Sequence, residues 1–487
     1  MTRLAALLPE ASCPGALGNI DVKGLTDDSR RVEPGWAFFA IPGVKADGSA
    51  FIGEAVAKGA AAVVAERQPP GPSACTAFIL VDDVRRALAL AAAVFYPLQP
   101  ATIAAVTGTS GKTSVASFCQ QIWTKLGHQA ASLGTLGIVA PQGAVYGSLT
   151  TPGPIALHRS LDQLARDGVT HLAIEASSHG IEQRRLDGVR FSAGAFTNLS
   201  RDHLDYHLTL EAYLEAKLRL FETLLAPGQP AVINGDSDAA PAVIAAATAR
   251  RLHVFTAGRS GRNLRLTAVR PGALGSELTV EAEGRAFKTR LPLAGDFQLS
   301  NALVAAGLCI ATGSPAPEVL AALETLEGAP GRLQLAGRRG NAPVFIDYAH
   351  KPDALDKVLT ALRPLASGPL IVVFGCGGDR DQGKRPIMGE IAARLADRVV
   401  VTDDNPRSEQ PDRIRAAILA GAAHGNAEVV EIGDRASAIE SAVASLGPGG
   451  VLVIAGKGHE TGQIIGDRVL PFSDLDCARR ALQNHPS

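Results

Sequence analysis

The chain has 487 residues, with 47 basic and 48 acidic side chains and a formal net charge of -1 at pH 7. This balance gives no bulk attraction to nucleic acid or to an anionic membrane surface, so an anionic substrate must be bound by local groups. No apolar run reaches the ~18 residues that span a bilayer, and residues 1–10 lack the pattern of a signal peptide, so we expect neither membrane insertion nor export.

Cysteine usage and length set further expectations. The six cysteines have no disulfide or metal-site spacing, which indicates reduced, mostly buried thiols in a cytoplasmic protein. The length exceeds what one core normally accommodates and predicts three domains. We place these domains at residues 1–98, 99–330 and 331–487. Two prolines within residues 97–100 mark the first linker, because they disfavour a continuous helix.

The order of apolar runs predicts an α/β fold in all three domains. Short strand-like pieces at 36–41, 61–65 and 77–81 alternate with alanine-rich helices, which indicates a small first domain. In the central domain, runs at 102–106, 171–176, 193–198, 230–234 and 252–256 predict a mainly parallel sheet covered by helices, and residues 263–293 predict an antiparallel extension. The last domain has runs at 344–346, 370–374, 399–401, 429–432 and 451–454, which predict a second, Rossmann-like doubly wound sheet.

Residues 106–114 form a candidate phosphate-binding loop between a strand and the helix-like stretch 115–126. Its glycines allow backbone N–H groups to face an oxyanion, Lys112 can reach the β- and γ-phosphates, and the Thr113 hydroxyl can bind Mg²⁺. The usual pattern has a glycine where this chain has Val106, and the shortened loop is typical of a narrower group of ATP-dependent enzymes. A glycine-rich turn without a ligand is the alternative interpretation.

Polar residues follow the next strands of the central sheet, where ligands of open α/β sheets collect. Glu175 ends one strand and is a natural ligand for Mg²⁺, which prefers oxygen. His203 follows the next strand and lies between Asp202 and Asp205 in the sequence. A metal ligand and a surface hydrogen-bonding residue are both open interpretations of this histidine.

Taken together, the loop, Glu175, Asn198, His203 and Lys217 resemble the ATP-dependent Mur ligases of peptidoglycan synthesis. The resemblance extends over nearly the whole chain. It is carried by Asp28-Ser29-Arg30, Asp47-Gly48, Thr150-Thr151-Pro152, Ser177-Ser178-His179-Gly180, Gln183, Arg185, Gly331-Arg332, Asp347-Tyr348-Ala349-His350, residues 375–386, Asp404-Asn405-Pro406-Arg407 and Gly456-Lys457-Gly458-His459-Glu460. It implies a UDP-binding N-terminal domain, a central ATPase domain and a C-terminal amino-acid-binding domain.

The resemblance also implies a reaction: meso-2,6-diaminopimelate is added to UDP-N-acetylmuramoyl-L-alanyl-D-glutamate through an acyl phosphate. ATP is the co-substrate, Mg²⁺ the cofactor and the monomer the expected state. The implied catalytic residues are Lys112, Glu175, His203 and Lys217, and the implied metal ligands are Thr113, Glu175, His203 and a carbamylated Lys217.

The resemblance assigns the remaining site residues to three ligands. ATP is expected to contact Gly108, Thr109, Ser110, Gly111, Lys112, Thr113, Ser114, Asn301, Arg332 and Asp347. The UDP-sugar dipeptide is expected to contact Ser29, Thr150, Thr151, Ser177, Gln183 and Arg185. Diaminopimelate is expected to contact Arg380, Asp404, Asn405, Arg407, Gly456 and Glu460.

Several alternatives stay open from the sequence. Lys217 can be a solvated lysine on a helix over 211–224, Asp347 can form an interdomain ion pair with Arg332, and Arg407 can lie in solvent. The chain departs from the family pattern at Gln298 and Gly462. Rival functions are a sister enzyme, such as folylpolyglutamate synthase or a lysine-adding muramyl ligase, and a nucleotide-dependent scaffold without catalytic activity.

Overall fold

A computed structural model of the chain describes residues 2–9, 18–43, 47–68, 77–145, 147, 149–272 and 275–486, without the side chains at 204 and 205. Cys119, Cys309, Cys376 and Cys477 are buried free thiols, whereas Cys13 and Cys75 lie outside the described residues. Over the described ranges, no helix has the length and apolar character needed to cross a membrane.

The chain forms two compact units, Met1–Arg265 with Leu303–Val319, and Leu266–Ala302 with Leu320–Ser487. The boundaries at 98 and 330 that we derived from the sequence stay predictions.

The first unit begins with a small α/β layer, as the sequence indicates. Its elements are β1 Thr2–Arg3, α1 Leu4–Leu7, β2 Asp21–Val22, β3 Gly24–Thr26, β4 Trp36–Phe39, α2 Ile52–Ala57, β5 Ala62–Ala65, β6 Ala77–Leu80 and α3 Val84–Phe95, with 3-10 turns at Ser29–Arg31 and Gly48–Phe51. Strands β3 to β6 form a parallel sheet in that order. Helix α3 packs Val84, Leu88 and Ala92 against this sheet because these residues share one helix face.

The larger sheet of the first unit carries the phosphate loop. Its elements are β7 Thr102–Thr107, α4 Lys112–Lys125, β8 Ala130–Gly134, β9 Gly137–Ala140, β10 Gly143–Val145, α5 Pro154–Arg166, β11 His171–Glu175, α6 Ser178–Glu182, β12 Ala193–Phe196, α7 Leu204–His207, α8 Leu210–Arg219, a π-helical turn Leu220–Leu224, β13 Pro230–Asn234, α9 Ala240–Ala249 and β14 His253–Gly258. The strand order is β10-β9-β8-β11-β7-β12-β13-β14. Parallel pairing from β8 to β14 confirms the predicted sheet, and its apolar strands are buried because helices cover both faces.

One edge of this sheet differs from the sequence expectation. Strands β8, β9 and β10 pair antiparallel, and we did not predict β9 and β10. They are short, glycine-bounded pieces without a clear apolar alternation, so the sequence pattern carries little strand signal.

Strand β15 Leu264–Pro271 starts in the first unit and continues into the second, and helices α10 Asp296–Ala311 and α11 Ala316–Ala322 also divide between the units. In the second unit, β16 Ser276–Ala282 and β17 Arg285–Leu291 form the antiparallel extension that the sequence indicates. The remaining elements are 3-10 turns at Leu323–Thr325 and Arg363–Leu365, β18 Gln334–Arg339, β19 Ala342–Asp347, α12 Pro352–Leu362, β20 Leu370–Phe374, α13 Lys384–Leu395, β21 Arg398–Val401, α14 Pro411–Ala422, β22 Glu428–Glu431, α15 Arg435–Ala444, β23 Val451–Ala455, β24 Gly462–Ile465, β25 Arg468–Pro471 and α16 Asp474–Asn484.

The main sheet of the second unit has the order β18-β19-β23-β20-β21-β22 and is parallel except at β18. Apolar clusters cover both of its faces, which confirms a doubly wound sheet. Because β19, β23, β20 and β21 are in parallel register, the residues after Asp347, Ala455, Phe374 and Val401 meet at one edge. The hairpin of β24 and β25 lies outside this sheet and was not predicted.

Candidate active site

The phosphate loop connects β7 to α4 in a conformation that requires its glycines. Gly108 and Gly111 have φ values of 146° and 88°, and a Cβ on Gly108 would overlap with Thr197 Oγ1. The segment after β12 holds the loop: the Ser110 N–H donates to Asn198 Oδ1 at 3.0 Å, and Thr197 Oγ1 donates to the Ser110 carbonyl at 2.7 Å. The start of α4 is therefore presented in the manner of an anion site.

Two lysines converge on this loop. Lys112 Nζ donates to the carbonyls of Gly108 and Thr109, both at 2.9 Å. Lys217 Nζ donates to the same Gly108 carbonyl at 2.9 Å and lies 4.0 Å from the centroid of the Tyr213 ring. Lys217 is only 1% exposed, so it is not the solvated lysine that we considered from the sequence.

Burial, together with the charge of Lys112, lowers the pKa of Lys217 well below that of an ordinary lysine. A lowered pKa favours the neutral amine, which is the form that reacts with CO₂. Carbamylation of Lys217 stays a prediction.

Glu175 ends β11 beside the loop and is 2% exposed. Its Oε2 accepts a hydrogen bond from Thr113 Oγ1 at 3.0 Å, and its Oε1 accepts one from the Thr135 N–H at 2.7 Å. A Cβ on Gly134 would overlap with this carboxylate, so the β8–β9 turn is shaped around it. Sequence reasoning missed Thr135, for which the turn between Gly134 and Gly137 is the only available signal.

The Thr113 hydroxyl and the Glu175 carboxylate fit Mg²⁺, because both offer oxygen ligands to a hard cation. Within the described residues, no group of three or more His, Cys, Asp or Glu side chains makes a ready metal site. Thr113 and Glu175 thus offer only part of a Mg²⁺ coordination sphere. Such a partial set is expected where nucleotide phosphates supply the further ligands.

His203 has a strained left-handed backbone, with φ 53°. Its N–H donates to Asp202 Oδ1 at 2.9 Å, and its Nε2 lies 3.5 Å from Asp202 Oδ2. This contact is the surface hydrogen-bonding role considered from the sequence, and metal binding by His203 stays a prediction. The His203 ring also contacts the His179 ring, with 5.0 Å between their centroids. His179 belongs to an aromatic group with His207 and Tyr213, which we did not predict from the sequence.

Four of the residues predicted for the sugar dipeptide form one hydrogen-bonded cluster. Arg185 donates to the Thr151 carbonyl at 2.7 Å and to Gln183 Oε1 at 2.6 Å, and the Thr151 and Ser177 hydroxyls are 2.9 Å apart. Ser177 also caps α6 by accepting from the Gly180 N–H. Burial lowers the pKa of Arg185, which remains a cation at neutral pH.

The other two predicted residues lie at different places. Thr150 Oγ1 is 3.0 Å from Thr135 Oγ1 and so borders the Glu175 carboxylate. Ser29 lies in the N-terminal layer, where its hydroxyl donates to Glu54 Oε2 at 2.7 Å. In the described part of the chain, no hydrogen bond joins Ser29 directly to Thr151, Ser177, Gln183 or Arg185.

The second unit holds the remaining nucleotide candidates. Asp347 is buried, and its carboxylate accepts from the backbone N–H groups of Leu333 and Ala349 at 2.7 and 2.8 Å. Burial raises the pKa of Asp347, and the nearby charge of Arg332 opposes this shift. Arg332 stacks over Tyr348 at 4.7 Å and belongs to the same compact unit as Asp347, so these two residues do not form the interdomain ion pair considered from the sequence.

Asn301 is linked to Arg332 through Gln298, one of the departures from the family pattern. Asn301 Nδ2 donates to Gln298 Oε1 at 3.2 Å, and Gln298 Nε2 donates to the Arg332 carbonyl at 3.0 Å. Gln298 is 1% exposed, so it supports the positions of Asn301 and Arg332 from within the core.

The ends of β21 and β23 bring the diaminopimelate candidates together around a buried cation. Lys457 Nζ donates to Asn405 Oδ1 at 2.9 Å, Glu460 Oε2 at 3.2 Å and Asp404 Oδ1 at 3.5 Å. Gly456 has φ 114°, and a Cβ there would lie 3.4 Å from Asp404 Oδ2. Sequence reasoning assigned no role to Lys457, although it stands inside a motif that carries the resemblance.

Arg407 follows this cluster with φ 52° and is not free in solvent, because its Nη1 donates to the Gly378 carbonyl at 2.7 Å. Its backbone pairs with the β24–β25 hairpin: the Arg407 N–H donates to Ile464, and the Gly466 N–H donates to Arg407. Arg380 lies on the neighbouring glycine-rich loop, where it is exposed and donates to the Asp379 carbonyl at 3.2 Å.

Comparisons with known proteins match this architecture along the chain. Residues 21–96 match the Mur ligase family, catalytic domain; residues 106–309 match the Mur ligase middle domain; and residues 331–458 match the Mur ligase, glutamate ligase domain.

Curated relatives and a solved structure extend the likeness. The chain is 60% identical over 477 residues to the UDP-N-acetylmuramoyl-L-alanyl-D-glutamate--2,6-diaminopimelate ligase of Bradyrhizobium diazoefficiens, covering 97% of each chain. It is 56% identical over 481 residues to the protein of the same name from Mesorhizobium japonicum, covering 99% of this chain and 98% of the relative. A solved structure of a ligase of that name has a TM-score of 0.75 and 32% identity, with 99% of each chain covered.

Proposed function

Because the chain belongs to the Mur ligase family, we propose that it is an ATP-dependent amide ligase that adds meso-2,6-diaminopimelate to UDP-N-acetylmuramoyl-L-alanyl-D-glutamate. The relatives that it matches over nearly their full length carry the name of this activity. The observation that carries the proposal is the convergence of Lys112 and the buried Lys217 on the Gly108 carbonyl. Lys112 supplies positive charge to a reaction in which two anions must approach each other, and the lowered pKa of Lys217 suits an amine that CO₂ converts to a metal-binding carbamate.

The chemistry of amide formation explains why ATP is needed. The γ-carboxylate of the D-glutamyl residue attacks the γ-phosphorus of ATP, giving an acyl phosphate and ADP. The amine of diaminopimelate then attacks the acyl carbon, expels phosphate and loses a proton to form the amide. The first step brings carboxylate and phosphate together, so positive charge at the loop stabilises it.

We propose that Lys112 binds the β- and γ-phosphates when it leaves the loop carbonyls, and that the backbone of Gly108 to Ser114 surrounds the phosphates. Thr113 and Glu175 would hold one Mg²⁺, and Glu175, His203 and carbamylated Lys217 a second. Bound Mg²⁺ supplies positive charge at the transferring oxygens.

The hydroxyls of Thr150, Thr151 and Ser177, with Gln183 and Arg185, form a polar group suited to the pyrophosphate and sugar-peptide end of the substrate. Ser29 would contact the uridine end. Asn301, Arg332 and Asp347 would contact the nucleoside part of ATP.

For the incoming amino acid, Arg407 would bind the distal carboxylate and the Asp404, Asn405 and Glu460 group its distal ammonium. Arg380 and Gly456 would complete this pocket. A lysine-adding ligase, the runner-up, has no use for a guanidinium at this place, because L-lysine lacks the distal carboxylate.

We further propose that the enzyme works as a monomer in the cytoplasm, where reduced thiols such as its four described cysteines persist. Sedimentation velocity of the purified protein checks the oligomeric state.

A coupled assay of ADP release tests the proposed function. We expect release only when ATP, Mg²⁺, the UDP-sugar dipeptide and meso-diaminopimelate are all present, with one amide formed per ADP. ADP release with a folate substrate would identify a folylpolyglutamate synthase instead. A folded protein that binds ATP without any acceptor-dependent ADP release would support the scaffold alternative.

A further inference from the structure

Lys457 is a buried cation that the proposed mechanism does not use. It lies two residues after the end of β23 and is 0% exposed, so its side chain is removed from solvent. A buried ammonium is costly unless it is paired and hydrogen-bonded. Lys457 meets this requirement through Asn405, Glu460 and Asp404.

These contacts determine the charge of the pocket. Asp404 and Glu460 are two carboxylates around the single ammonium of Lys457, so these three side chains together carry one net negative charge. One negative charge complements one ammonium of a ligand. Arg407, on the adjoining turn, complements one carboxylate.

The same contacts also orient the groups that face the ligand. Glu460 Oε2 accepts from both Lys457 Nζ and Asn405 Nδ2, at 3.2 and 2.9 Å. Among the described residues, no hydrogen bond is assigned to Glu460 Oε1, and the Glu460 side chain is 34% exposed. Lys457 therefore helps to fix one carboxylate oxygen and leaves the other in position to accept from a ligand.

The network continues to the turn that carries Arg407. Asn405 Oδ1 accepts from Lys457 Nζ and from the Ile464 N–H, both at 2.9 Å. Ile464 belongs to β24, and the Ile464 carbonyl oxygen accepts a hydrogen bond from the Arg407 N–H at 3.0 Å. Lys457 thus stabilises both the acceptor for a distal ammonium and the turn for a distal carboxylate.

We infer that Lys457 is a specificity-determining positioning residue, which makes the pocket select an amino acid with a zwitterionic far end over one with an ammonium alone. The inference rests on the proposed function, since it concerns the amino acid that this ligase adds. Lys457 acts through Glu460 and the Asn405–Arg407 turn and need not touch the substrate.

The test compares Lys457→Met with Arg339→Met in the full-length enzyme. Arg339 also donates to three acceptors, the carbonyls of Val443, Ala444 and Leu446, but at the end of α15. For Lys457→Met we expect kcat/KM for meso-diaminopimelate to fall by about 10- to 100-fold, the range for loss of a charged hydrogen-bonding group. KM for diaminopimelate should rise, KM for ATP and the UDP-sugar dipeptide should not change, and the preference for diaminopimelate over L-lysine should shrink.

A structural role alone would lower activity with both amino acids equally and leave their ratio as in the wild type, as we expect for Arg339→Met. That result for Lys457→Met would overturn the inference. If Lys457→Met does not fold, Lys457→Gln is assayed in its place, because it keeps an amide donor for the same acceptors and changes no other residue of the pocket. A folded Lys457→Gln enzyme with wild-type discrimination would overturn the inference, and one with reduced discrimination would support it.

The wild-type assay separates the two proposals. Wild-type enzyme without diaminopimelate-dependent ADP release would overturn the proposed function and this inference together. An active wild type whose selectivity does not depend on Lys457 would overturn the inference alone.

Discussion

The phosphate loop and the Lys457 cluster each contain a buried lysine, Lys217 and Lys457, at a candidate ligand site. The two sites differ in the groups that accept hydrogen bonds from their lysines. At the loop, Lys112 and Lys217 donate to main-chain carbonyls. In the cluster, Lys457 is bound by two carboxylates and an amide. Carbonyl dipoles stabilise a cation without cancelling its charge, whereas carboxylates cancel it.

This difference corresponds to the charge of the two ligands. A polyphosphate needs uncancelled positive charge, which Lys112 retains for the nucleotide. A zwitterionic amino acid needs balanced charges at fixed places, which the cluster provides before the ligand arrives. We therefore expect substitutions at the loop to affect chemical rate, and substitutions around the cluster to affect the choice of amino acid.

The largest effect is expected for Lys112→Ala, which removes the cation nearest the transferred phosphate. We expect kcat to fall by about 10²- to 10³-fold or more, the magnitude for loss of one preorganised transition-state contact. The melting temperature should stay near the wild-type value, because Lys112 is not part of an apolar core. Lys125→Ala, at the exposed end of the same helix, is the control and should keep full activity. Normal turnover by a folded Lys112→Ala enzyme would contradict the proposed role of the loop.

Lys217→Ala is expected to reduce activity by about 10²-fold, because it removes the predicted carbamate ligand. A short carboxylic acid in the buffer should restore part of the rate by occupying the vacated place. Glu215→Ala, an exposed change on the same helix, controls for effects on α8. It should show neither a loss of activity nor an increase in rate when the carboxylic acid is added. A Lys217→Ala enzyme whose kcat equals that of the wild type in buffer that contains CO₂ would rule out the carbamate.

Arg407→Ala should change selectivity more than rate. We expect kcat/KM for meso-diaminopimelate to fall by about 10- to 100-fold, since a charged hydrogen bond is lost, while the low activity with L-lysine changes little. Steady-state kinetics with both amino acids measures this, and Arg413→Ala on the exposed face of α14 is the matched control. Comparable kcat/KM for the two amino acids in the wild type would refute the assignment of Arg407.

The smallest effect is expected at Ser29, in the N-terminal layer of the first unit. Ser29→Ala removes a hydroxyl that donates to Glu54, and we expect KM for the UDP-sugar dipeptide to rise by about 3- to 10-fold, the range for a neutral hydrogen bond. The KM values for ATP and diaminopimelate should not change. Ser260→Ala, at an exposed turn, should leave all three KM values unchanged. The same result for Ser29→Ala would show that Ser29 does not contact the UDP-sugar dipeptide.

Much of the fold follows from sequence pattern. The runs at 230–234 and 370–374 match β13 and β20 in full, because buried parallel strands are continuous apolar segments with clear ends. The β9–β10 and β24–β25 pairs were missed, since strands of three or four residues are too short to show a regular alternation of apolar and polar residues. The prediction therefore omitted two elements beside the candidate site. The turn that leads into β9 contacts Glu175 through Thr135, and the β24–β25 hairpin is hydrogen-bonded to the backbone of Arg407.

By itself, the sequence determined the features that depend on neighbouring residues: the strand and helix order, the phosphate loop and the motifs that place the chain in its family. Only the tertiary structure decided which distant residues meet. Lys217 and Gly108 are 109 positions apart, and Lys457 and Asn405 are 52 apart, yet each pair is hydrogen-bonded. A lysine is compatible with solvent or with a buried site, and the packing of other elements around it determines which environment it has.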